Sequence, residues 1–122
     1  MKTAFNPQRQ NFVKYDDKHY LLFLNETEAE QTNEQGETVK GFTYIGTQTD
    51  GSMLIEATGV TEQNRRSKFI AGLIGTEYTM DDQIALLANG EDTNEHAEEL
   101  AIFLEKRVAA KKAVDELLAR NI

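Results

Sequence analysis

Asp16, Asp17 and His19 are the first side chains in the chain that could do chemistry. Two carboxylates and an imidazole in one short stretch could begin a divalent-metal site. Their spacing fits no calcium loop, which needs five or more oxygen ligands and a distant glutamate. A polar hairpin turn accounts for the same residues. The second histidine, His96, stands among Glu95, Glu98 and Glu99 with no HExxH around it, so it reads as a solvated residue of an acidic helix. Glu26, Glu28 and Glu30 alternate, which places all three on one face of a strand. Glycoside hydrolysis needs two carboxyls across a cleft, whereas a solvated strand face that discourages edge pairing explains the same pattern. Ser52 and Ser67 are the only serines, and neither lies in a GxSxG elbow. With no cysteine, thiol nucleophiles, thiolate zinc sites and disulfides are excluded together. No phosphate-cradling glycine motif occurs, and no cofactor or catalytic residue is implied.

Charge narrows the choice further. The 122 residues carry 13 basic and 21 acidic groups, a formal net charge of −8. Arg65, Arg66 and Lys68 form one basic cluster that could touch phosphate. Beyond it no Lys or Arg occurs until Lys106, while Glu77, Asp81, Asp82, Glu91, Asp92, Glu95, Glu98, Glu99 and Glu105 fill the interval. Such a balance argues against general nucleic-acid binding, which depends on neutralising phosphates. No apolar run approaches the roughly 18 residues of a membrane span. The opening MKTAFNPQRQ has no apolar core of a secretory signal. A cytoplasmic setting is the expectation.

The elements that must position these residues divide the chain into two textures within a single domain, 1–122. Residues 1–60 are rich in aromatic, threonine and β-branched side chains, and 61–122 in alanine, leucine and glutamate. The expected fold is α+β: an N-terminal antiparallel β-meander of four or five strands, followed by three helices. Strands are expected at 11–15, 19–25, 26–32, 38–47 and 53–58. Asp50-Gly51 suggests a type I′ hairpin turn before the last of them. Thr61 should cap a first helix that ends at Gly75, with Phe69, Ile70, Leu73 and Ile74 on its apolar side. Thr79 and Asp82 resemble a capping box for the second helix, whose buried side would be Ile84, Leu86 and Leu87 before Asn89-Gly90 stops it. Tyr78 would plug the turn between these two helices.

The last helix is expected from about Asn94 to Arg120, with no Gly or Pro inside it. At that length it spans about 40 Å, which matches or exceeds the width of a compact domain of this size. Its first half is acidic, and its second carries Lys106, Arg107, Lys111, Lys112 and Arg120 against Asp115 and Glu116. This polarity complements the helix dipole. It also suits antiparallel self-association, with each acidic half facing a basic one. Leu100, Leu104, Val108, Val114, Leu117 and Leu118 are the candidate interface residues. Arg107 and Lys111 interrupt the stripe, which argues against an extended coiled coil.

The stretch 66–89 carries Ile70, Ile74, Tyr78-Thr79, Asp81-Asp82 and then Gln83-Ile84-Ala85-Leu86-Leu87 and Asn89. It resembles a segment near the C-terminus of many small phage and prophage proteins, commonly encoded among tail or other virion-accessory genes. The resemblance implies an accessory or virion-associated role and carries over no catalytic residue. A non-enzymatic protein-interaction or structural module is therefore expected, binding a protein partner or its own copy through the last helix. Two alternatives stand beside it. One is a small ligand-binding domain or enzyme with a carboxylate site on the sheet. The other is an acidic nucleic-acid mimic that occupies a basic protein.

Overall fold

A computed structural model describes residues 1–122. It is α+β, with an N-terminal strand region followed by three helices. The strands are β1 (Lys2–Asn6), β2 (Phe12–Asp16), β3 (His19–Leu22), β4 (Thr27–Thr32), β5 (Thr38–Gly46) and β6 (Met53–Glu56). The helices are α1 (Arg65–Gly75), α2 (Met80–Asn89) and α3 (Asn94–Leu118).

The strands form two antiparallel sheets, ordered β1-β5-β4 and β2-β3-β6. Each sheet contains one expected hairpin, β2–β3 or β4–β5. The sequence reading missed β1, which crosses the chain to pair Lys2 with Gly46 and Asn6 with Phe42. The Asp50-Gly51 turn also differs from expectation. Gly51 is left-handed (φ +83°) but Asp50 is not, and type I′ needs both. The segment instead carries the chain from one sheet to the other. Asp50 Oδ1 accepts hydrogen bonds from the Ser52 amide and hydroxyl, and Ser52 is fully buried there.

The core lies between the β2-β3-β6 sheet and the pair α1/α3. It joins Leu22, Met53 and Ile55 to Phe69, Ile70 and Ile74 of α1 and to Phe103, Val114 and Leu117 of α3. Gly72 sets the distance between α1 and β6. A Cβ there would stand 2.6 Å from the Glu56 carbonyl oxygen, so only glycine permits this approach. Helix α1 begins at Arg65 rather than after Thr61. Thr61 and Asn64 exchange hydrogen bonds across their own turn (2.6 and 3.3 Å), and Asn64 takes the N-cap position. Gly75 is the last helical residue and not a left-handed terminator.

Candidate protein-interaction surface

Helix α2 forms for local reasons. Thr79 Oγ1 accepts from the Asp82 amide at 3.1 Å, and the Asp82 carboxylate accepts from the Thr79 amide at 3.2 Å. Both halves of the expected capping box are therefore made. Gly90, left-handed at φ +55°, donates to the Leu86 carbonyl and stops the helix.

Burial does not follow the expected pattern. No residue of α2 is buried. Leu86 is half-buried against the core, but Ile84 and Leu87, read from sequence as its inward partners, are 57% and 62% exposed. Together with Met80 they stand at positions i, i+4 and i+7, one face of a helix. The physical reason is the support beneath α2. Tyr78 packs edge-on against Phe103 with ring centroids 5.0 Å apart, and this contact lifts the start of α2 onto the side of α3. Only the flank carrying Leu86 then reaches the body. A cleft of about 420 Å³ remains between the two helices, with Tyr78, Leu86 and Ile102 among its walls and Glu77, Asp82 and Glu99 on its rim.

The candidate residues of the last helix separate into two groups. Val114 and Leu117 are fully buried in the chain's own core, and Leu100 and Leu118 are half-buried against it. Val114 and Leu117 are therefore corrected from interface to core. The inward stripe runs through Leu100, Phe103, Arg107, Ala110, Val114 and Leu117 at alternating spacings of three and four. Arg107 keeps its place in that stripe by laying its guanidinium over the Phe103 ring, 5.9 Å from the centroid. Leu104 and Val108 point off this stripe and remain exposed.

The other sequence candidates are occupied within the chain. Asp16 Oδ1 accepts from the Lys18 amide and lies 2.9 Å from His19 Nδ1, so it closes its own turn. Asp17 is 3.5 Å from Lys14. His96 contacts Asp92 at the start of α3, and this hydrogen bond raises its pKa. Arg66 pairs with Asp115 at 2.6 Å, and Arg65 stacks over Phe12. Glu28 and Glu30 are exposed beside Lys40 and Phe42.

Glu26 behaves differently from its two neighbours in sequence. It precedes β4 and turns inward, after Asn25, the one non-glycine residue with positive φ (+55°). Arg9 donates to it through Nε and Nη2, and the Tyr44 hydroxyl donates at 2.7 Å. Arg120 Nε lies 3.4 Å away, while its Nη1 donates to the carbonyls of Gln10 and Phe23. Burial works against a charged Glu26, yet the bonds from Arg9 and Tyr44 and the charge of Arg120 outweigh it and hold its pKa below the ordinary value. Every member of the cluster is satisfied by another, so its work is to pin the end of α3 to both strand layers. Sequence reading missed it because its members come from four separate segments. No protein family, curated protein or solved structure matches this chain.

Proposed function

We propose that this chain is a non-enzymatic protein-interaction module that docks through the apolar face of α2 and the exposed flank of α3. The observation that carries this reading is the stripe of Met80, Ile84 and Leu87, 69%, 57% and 62% exposed on one helix that has no fully buried residue. Single exposed apolar residues are normal, but an aligned row on a well-capped helix marks a contact surface. The carboxylates give an enzyme reading no comparable support. Glu26 is neutralised by two arginines, and Glu28 and Glu30 share one open pocket of about 410 Å³ with Lys40 and Phe42 but are joined there by neither Asp16 nor Asp17. The resemblance of 66–89 to small phage and prophage proteins favours a virion-accessory setting, with action in the cytoplasm or on the particle.

A photo-reactive phenylalanine analogue placed at Ile84 or at Leu104 tests the reading inside producing cells. Cross-linked species should form from both positions and be absent from Glu34, an exposed residue in the β4–β5 turn. Equal background yield at all three positions overturns it.

A further inference from the structure

The two exposed apolar patches carry opposite charge. Around Met80, Ile84 and Leu87 the exposed ionisable residues are Asp81, Glu91 and Asp92, and no basic side chain occurs between Lys68 and Lys106. Around Leu104 and Val108 they are Glu105, Lys111 and Lys112, at spacings of three and four from Val108, while Arg107 turns inward over Phe103. Lys111 and Lys112 have no carboxylate within ion-pair distance in the chain, whereas neighbouring Lys106 is held by Glu77 at 3.2 Å.

We infer that the occupant of the acidic α2 face is the basic α3 flank of a second copy of this chain. Resting on the interaction reading above, this inference names the partner and fixes the arrangement. Pairing α2 with another α2 would press acid on acid. Pairing two α3 flanks antiparallel would set Glu98 and Glu105 against Lys111 and Lys112 but leaves the row of Met80, Ile84 and Leu87 uncovered. Pairing α2 against α3 covers both exposed apolar rows in one contact and sets acid against base. The contact is therefore heterologous: each copy offers a different patch on each side, so assembly continues into a ring or an open chain rather than stopping at a two-fold dimer.

Sedimentation velocity on the full chain, with two double variants, tests this. One variant is Ile84→Gln with Leu87→Gln, and the other is Leu104→Gln with Val108→Gln. Circular dichroism melts verify that both fold. The wild-type chain should grow past a dimer with concentration, and its association should weaken about tenfold between about 0.05 and 0.5 M salt. Each variant alone should be monomeric, since each lacks one half of the only contact. Mixed in equal amounts, the two should form a one-to-one dimer and nothing larger, because one intact patch survives on each. A variant that still dimerises alone indicates a two-fold interface and overturns the inference, as does a mixture that stays monomeric. A monomeric wild type also overturns it. The interaction reading then survives if Ile84 and Leu104 cross-link to another protein, and falls with it if they do not.

Discussion

Helices α1 and α2 have nearly the same length, 11 and 10 residues, and opposite fates. Helix α1 has no side-chain cap and no acidic residue in its first turn, yet it buries Phe69, Ile70, Gly72 and Ile74. Helix α2 has a full capping box and acids in its first turn, yet none of its residues is fully buried and only Leu86 packs against the core. One helix is held by what lies beneath it and the other by its own ends. Tertiary burial dominates helix stability in proteins, so a helix with good ends and little burial is held weakly by the body.

The largest effect should come from the helix that joins the two. Val114 on α3 is fully buried, so Val114→Lys places an unpaired charge in the core and should unfold the chain at room temperature by circular dichroism. A folded monomer carrying this change would show that Val114 faces outward after all. Next is the anchor at the end of α3. Glu26→Gln weakens bonds from Arg9 and Arg120 and should cost about 2–3 kcal/mol at neutral pH, with the part owed to Arg9 small because that side chain is over a third exposed. The folded pKa of Glu26 lies below its unfolded value. Its stabilisation is therefore complete above the ordinary glutamate pKa and is lost as pH falls through the folded value. Wild-type Tm should drop more steeply than that of the variant between about pH 5 and pH 3. Parallel pH profiles would remove Glu26 from the account.

Gly72→Ala sharpens the comparison from the side of α1. The new Cβ meets backbone at 2.6 Å, so α1 must lift from β6, at about 2 kcal/mol in denaturant titration. Thr79→Ala does the converse on α2. The cap is worth about 1 kcal/mol, but it supports a helix that only Leu86 ties to the core. Amide exchange should quicken from Gln83 to Ala88 while the global Tm barely moves. A fall in Tm that matches the loss of the cap would mean that α2 unfolds with the core.

What could be read from sequence tracks the distance over which each feature is decided. The Thr79–Asp82 box and the stop at Gly90 involve residues within one turn, and both form as expected. The α+β class follows from composition and period along each half. Strand β1 was not legible, because its pairing is with β5 across the chain and Lys2–Asn6 carries no strong alternation of its own. The anchor joins Arg9, Glu26, Tyr44 and Arg120 from distant segments, and nothing local to any of them announces the others. Ile84 and Leu87 show the sharpest limit. An apolar row at helical spacing looks the same whether or not a core covers it, and of the expected inward side Ile84, Leu86 and Leu87 only Leu86 packs against the core.

The smallest predicted effect is the one that separates the two short helices most cleanly. Ile84→Gln with Leu87→Gln replaces two exposed apolar side chains by a good helix former, and stability should stay within about 0.5 kcal/mol of wild type. The matching change in α1, Ile70→Gln with Ile74→Gln, buries two amides without partners and should abolish folding. The two pairs are alike in side-chain size and chemistry, so burial is the main variable between them. If the α2 pair lost about 2 kcal/mol or more in a monomer, those side chains would be holding the chain together. The apolar face would then belong to the fold, and no partner would be needed to explain it.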